Sequence, residues 1–107
     1  MSLEESVAEK LKAAISRRTP VIRDYYDLGH FIKNKFDFNR TSFFELLDKK
    51  LRFDGYEKDY LYNLGLSEQM IEELKKSIDN DLIPMIRKGE QFDLDRVLLF
   101  FNELFRR

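Results

Sequence analysis

The sequence predicts an all-α fold: a compact bundle of five to six helices that opens with a helical hairpin. Three observations carry this. Only 4 Gly and 2 Pro are spread over 107 residues, too little turn chemistry for a many-stranded fold. Apolar residues recur at spacings of three and four along most of the chain, and nowhere do they alternate over a stretch long enough to argue for a sheet. Ten Phe and five Tyr, within a 43% hydrophobic composition, supply core enough for one domain of this length. The expected organisation is a single helical domain over 1–107, with residues 1–36 as the motif-bearing hairpin and 39–107 as the remaining helices.

The first helix runs from Glu4 to Arg17, where the apolar positions Leu3, Val7, Leu11, Ala14 and Ile15 share one face, with acids early and bases late to suit the helix dipole. Thr19-Pro20 reads as an N-cap followed by proline in the first helical position, and Tyr25, Leu28, Phe31 and Ile32 continue a second helix to about Lys35. A connection of only two or three residues then forces a hairpin. After a polar break around Asp37 to Asn39, Phe43, Phe44, Leu47 and Leu51 form a third stripe that stops near Asp54-Gly55. Tyr60, Leu61 and Leu64 suggest a short fourth helix ended by Gly65. Ser67 is a good N-cap for the next, whose apolar face is Met70, Ile71, Leu74 and Ile78. Pro84 should break or kink the stretch from Asp79 to Lys88. Gly89 marks a stop before the last helix, which starts at Asp93 or Asp95 and carries Val97, Leu98, Phe101, Leu104 and Phe105.

Composition excludes several functions. The chain has no Cys, which rules out disulfides, thiolate metal sites and Cys nucleophiles and fits a reducing compartment. No apolar run approaches the roughly 18 to 20 residues needed to span a bilayer, and no signal-peptide layout opens the chain, so the expected location is the cytoplasm, with no membrane partner. A net charge of -1 gives no global attraction to nucleic acid; contact with it would rely on a local cluster such as Arg17, Arg18 and Arg23. Met1-Ser2-Leu3 followed at once by Glu4 and Glu5 reads as a start placed just before a helix, as in a piece of a larger protein.

One polar constellation stands out. With residues about 100° apart around the second helix, Asp24 lies about 40° from Leu28 at the centre of the apolar face, and Asp27 lies near its edge. An aspartate so close to the core must find a donor. If the hairpin turns around Arg18 and Thr19, antiparallel pairing brings Lys10 level with Asp27. One base and two acids then converge across the hairpin, with the three arginines at its tip. The plainer alternative is that the aspartates favour the start of a helix through its dipole while Lys10 lies along apolar surface to a solvated end.

The segment Ser6-Val7-Ala8-Glu9-Lys10-Leu11-Lys12-Ala13-Ala14, then Arg17-Arg18-Thr19-Pro20, then Arg23-Asp24-Tyr25-Tyr26-Asp27-Leu28 resembles the AbiEii nucleotidyltransferase toxin family, in which an "AEKL.AL..R" helix leads into an "RD.YDL" helix. The likeness covers Val7 to Leu28. It implies that Lys10, Asp24 and Asp27 belong to the catalytic site, Lys10 facing nucleotide phosphates as a point charge and the aspartates orienting it, with Arg17, Arg18 and Arg23 binding nucleotide or nucleic acid. Either Arg17 or Arg18 corresponds to the family arginine, because Pro20, Val21 and Ile22 are interposed before Arg23.

The resemblance further implies a preceding nucleotidyltransferase domain with a Gly-Ser turn and an Asp-x-Asp metal pair, Mg²⁺ and a nucleoside triphosphate bound by that parent protein, an RNA acceptor and an antitoxin partner. This chain would be its helical C-terminal part, inactive alone.

Other candidates are thin. Asp79-Asn80-Asp81 and Asp93-Leu94-Asp95 have metal-binding spacing but sit at helix boundaries, where Asp is an ordinary cap, so no metal site is expected. His30 projects opposite Leu28 with no second His or Cys, and a solvent-exposed structural role is expected. Tyr26 faces outward beside Arg23 and could stack a base, whereas Tyr25 lies on the core side. Two rival functions remain: a free-standing helical module that binds a protein through exposed aromatic surface, and a small RNA-binding domain using the arginines of the hairpin tip.

Overall fold

The computed structural model describes residues 2–16, 19–53, 66–86 and 90–105. Among these it holds five α-helices and no strand: α1 Leu3–Ser16, α2 Ile22–Lys33, α3 Thr41–Phe53, α4 Glu68–Ser77 and α5 Leu94–Phe105. The all-α expectation holds. The expected short helix at Tyr60 to Gly65, the stops at Asp54-Gly55 and Gly89, and Arg17 and Arg18 lie outside the described residues.

α1 starts under Ser2, whose Oγ accepts the Glu5 N–H at 3.1 Å, and it buries Val7, Ala8, Leu11, Ala14 and Ile15. That face packs on α2 and α3. α2 departs from expectation at its start. Thr19 does not cap it and Pro20 is not its first residue; the cap is Val21, in extended conformation and without a side-chain cap bond. Proline pushes the residue before it toward extended backbone, and the buried side chain of Ile22 decides where the first turn meets the core. α2 therefore begins at Ile22, later than expected, yet the helices still pair.

α2 ends two residues earlier than expected, in a Schellman arrangement. The Phe36 N–H reaches the Phe31 carbonyl and the Lys35 N–H reaches that of Ile32, both at 3.0 Å, with Lys35 at φ 62°. An Asx turn comes next, in which the Asn39 N–H donates to Asp37 Oδ1 at 3.0 Å, and α3 then buries Phe43, Leu47 and Leu51 as its stripe predicts.

α4 is capped as expected: Ser67 Oγ accepts the Met70 N–H at 3.2 Å. Leu74 is its buried residue, with Ile71 and Ile78 packed partly against the core. The expected disruption by Pro84 takes a specific form. The chain passes from α4 into a π-helical turn, Ile78–Leu82, closed by the Ile83 N–H on the Ile78 carbonyl, then into a 3-10 turn, Ile83–Met85. Proline lacks an N–H for the Asn80 carbonyl and its ring crowds that oxygen, so the preceding turn widens.

Asp93 caps α5, its Oδ1 accepting the Arg96 N–H at 3.2 Å. α5 lies against α2. Contact is close because α2 carries Gly29 there: a Cβ at that position would meet Val97 Cγ2 at 3.2 Å and Phe92 Cε1 at 3.4 Å. α2 is thus the central helix, touching α1, α4, α5 and the π turn.

Candidate functional site

Lys10 leaves α1 at the edge of its apolar stripe, and Asp24 and Asp27 leave the first two turns of α2. The hairpin brings all three together. Lys10 Nζ lies 2.7 Å from Asp27 Oδ2 and 4.0 Å from Asp24 Oδ1. Asp24 is buried, with 4% of its side chain exposed, while Lys10 retains 40%. The shorter contact therefore goes to the more exposed carboxylate, and the buried one sits behind the ammonium. Lys10 has three N–H donors, so outward-facing donors remain after Asp27 takes one.

Tyr25, next to Asp24, is fully buried, and its hydroxyl faces the Ala14 carbonyl at 3.5 Å. Burial, and after it the charge of Asp24, push the phenol far above its ordinary value. It stays protonated and cannot serve as a base.

Arg23 is exposed, and it lines a cavity of about 360 Å³ between the start of α2 and the π turn, with Tyr26, Ser77, Asp81, Leu82 and Met85 among the other walls. Arg17 and Arg18, the other two expected binding residues, are outside the described residues. The two Asp-x-Asp segments do not converge on a metal position. Asp79 and Asp81 are exposed on the π turn, Asp93 caps α5, and Asp95 pairs with Lys75 at 3.2 Å. Among the described residues no group of three or more His, Asp or Glu side chains could hold an ion.

A second polar cluster went unforeseen. Glu90 Oε1 accepts the Tyr26 hydroxyl at 2.8 Å and lies 3.2 Å from His30 Nε2. The Tyr26 ring meets His30 and Phe92 edge-on, at centroid distances of 4.6 and 5.8 Å. Tyr26 is thus held in place and is not a free stacking platform, and His30, though partly exposed, joins a contact between α2 and the segment leading into α5. The i, i+4 spacing of Tyr26 and His30 was the local signal available. Nothing local pointed to Glu90, 64 residues away from Tyr26.

Fold and site together define a class: a helical domain whose first hairpin sets one lysine against two aspartates, with adjoining arginine. This chain belongs to the AbiEii family, described as "Nucleotidyl transferase AbiEii toxin, Type IV TA system", whose profile matches residues 1–103. The match runs well beyond the hairpin, through α3, α4 and most of α5. No curated protein and no solved structure gives a significant match.

Proposed function

We propose that this chain is the helical, phosphate-facing part of an AbiEii nucleotidyltransferase of toxin–antitoxin type, in which Lys10 contacts the phosphates of the nucleotide. The observation that carries the proposal is the Lys10 cluster. The lysine and aspartates that bear the family likeness are brought within 2.7 and 4.0 Å of each other by two separate helices. Asp27 fixes the ammonium, Asp24 backs it from the core, and the remaining N–H donors point a localised charge outward.

Charge balance adds a condition. One ammonium against two carboxylates is locally negative, so a phosphate is drawn to the cluster only with further cations at hand. Arg23, one turn before Asp27 on α2, is the described residue placed to supply one, and Arg17 and Arg18 are the other two candidates.

Asp24 and Asp27 do not fit a resident divalent ion, because the Lys10 ammonium stands against both carboxylates, 2.7 Å from Asp27 Oδ2 and 4.0 Å from Asp24 Oδ1. None of the four glycines is followed by serine, and the Asp-x-Asp segments are dispersed. The Gly-Ser turn and the metal-holding Asp-x-Asp pair, and with them Mg²⁺ and the rest of the nucleoside triphosphate site, therefore belong in this proposal to a nucleotidyltransferase domain outside these residues. That domain supplies the transfer chemistry, this one the positioning charge. The acceptor proposed is RNA, and an antitoxin is the proposed regulatory partner. No helix among the described residues is long and apolar enough to cross a membrane.

The test is Lys10→Ala in the complete protein. Nucleotidyl transfer should be abolished while helicity by circular dichroism is unchanged; wild-type turnover would leave Lys10 a purely structural residue. A gene whose reading frame encodes no Gly-Ser and Asp-x-Asp pattern would separately defeat the two-domain proposal.

A further inference from the structure

Where the π turn gives way to the 3-10 turn, Ile83, Pro84 and Met85 follow one another and all three are exposed. Leu82 before them is buried, and Ile86 after them is half-buried. Ile83 and Met85 leave 46% and 63% of their surface in water. A folded domain has a reason to avoid such a run, since covering it is worth roughly 25 cal/mol per Å² of apolar surface. The change from α-helical to π and then 3-10 winding breaks the period that would carry these side chains round to the core.

The same apolar surface continues across the cavity at the start of α2, where Val21 is 39% exposed. Val21, Leu82 and Met85 all line that cavity. The face is thus an apolar hollow of about 360 Å³ with an apolar knob, Met85, at its rim. Two charges flank it. Arg23 and Asp81 line the hollow, both are exposed, and neither makes a side-chain hydrogen bond or ion pair among the described residues.

An apolar centre flanked by one unpaired cation and one unpaired anion is complementary to itself. A two-fold rotation sets Arg23 of each copy against Asp81 of the other, so both charges are answered at once. Hollow and knob match by the same operation. Met85 of each copy enters the cavity of the other, and its unbranched thioether adapts to an irregular space. A partner of unrelated sequence would have to supply the knob, the hollow and both charges separately.

We propose that this face is a two-fold symmetric interface between two copies of this chain, closed by reciprocal Met85 insertion and reciprocal Arg23–Asp81 pairs. The interface is small, built from one turn-rich segment and the first turn of α2, and belongs to the weak, transient class. The dimer uses neither Lys10 nor its aspartates, so it stands apart from the phosphate-binding reading. Arg23 has five N–H donors, enough to meet a carboxylate and still turn donors toward an anion.

Sedimentation velocity and light scattering on this chain, from low micromolar to about 1 mM, test the dimer. The mass should rise from monomer toward dimer and stop there, because a two-fold interface closes on itself. Arg23→Asp and Asp81→Arg each set like charges face to face at two contacts, and each should weaken the dimer about tenfold or more. Mixed in equal amounts, the two variants should associate with near wild-type affinity, since their heterodimer has opposite charges at both contacts. That rescue also shows that both variants are folded. A chain that stays monomeric throughout overturns the dimer and leaves the exposed run to a partner of different sequence. A mass that climbs past dimer, single variants that associate like wild type, or a mixture that fails to recover overturns the two-fold pairing as well.

Discussion

Asp24 is the charged side chain that α2 carries into the core, and its energetics differ from those of Asp27 although both face Lys10. Asp27 has the short contact but 29% of its side chain in solvent, so the pair is screened and worth under about 1 kcal/mol. Asp24 is desolvated. Replacing it by Ala removes a buried hydrogen-bonding group and leaves a void, at a cost of about 1–3 kcal/mol, while the half-exposed Lys10 recovers water. In urea unfolding, Asp24→Ala should therefore be clearly less stable than Asp27→Ala; the reverse order would mean that distance, not burial, sets the energy.

Glu9 adds a pH dependence. Its carboxyl is held below the ordinary 4.5, first by the hydrogen bond from Lys50 at 2.6 Å, against a smaller opposing effect of burial. A depressed folded value stabilises above the unfolded one and is lost as pH falls through the folded value. Wild type should therefore exceed Lys50→Met in urea midpoint at neutral pH, and the gap should close below the carboxylate range. A gap unchanged in acid would mean that Lys50 acts through packing. At this scale the Lys10–Asp27 pair was legible because a hairpin fixes which residues lie level, and Glu90 was not, because no local periodicity links it to Tyr26.

At the scale of elements, helix ends separate the effects of side-chain chemistry from those of packing. Ser67 and Asp93 cap as their sequence neighbourhoods say, because a side-chain oxygen three residues ahead of an orphan N–H is a local device. The start of α2 is not local: Thr19-Pro20 has the right chemistry, yet burial of Ile22 sets the first turn at a residue with no capping side chain. The widened turn before Pro84 was legible as a break but not as a π turn, since the alternatives satisfy the same missing donor.

The end of α2 yields a prediction at this scale. Its closing bonds require the left-handed conformation at Lys35, where a side chain costs about 1 kcal/mol that glycine avoids, less the greater freedom glycine has when unfolded. Lys35→Gly should therefore stabilise the chain by about 0.5–1 kcal/mol by thermal or urea unfolding. A loss of stability would mean that the Lys35 side chain makes up more than its backbone strain.

For the whole molecule, the helical stripes account for the helix faces around the core but not for a residue that joins them. Phe38 sits in the segment read as a polar break, between Asp37 and Asn39, and it is 1% exposed. Its ring meets Phe36, Phe43, Phe100 and Phe101 edge-on at 4.9 to 5.5 Å, so one loop residue ties the α2–α3 connection and α3 to α5. A period-based reading cannot find such a residue, because a loop has no period and its neighbours are polar. The radius of gyration, 13.7 Å, is close to the roughly 13 Å of a compact domain of this length. Phe38→Ala should cost about 3–5 kcal/mol through lost burial and a cavity. Against a total stability of about 5–15 kcal/mol, that is enough to lower the melting temperature steeply. Phe38→Leu keeps most of the volume and should recover more than half of the loss. Because Lys10, Asp24 and Asp27 lie on the α1–α2 side, nucleotidyl transfer by the complete protein carrying Phe38→Leu should stay near wild type below its melting temperature. Lost transfer in a folded Phe38→Leu protein would mean that α5 and the phosphate site are coupled through α2.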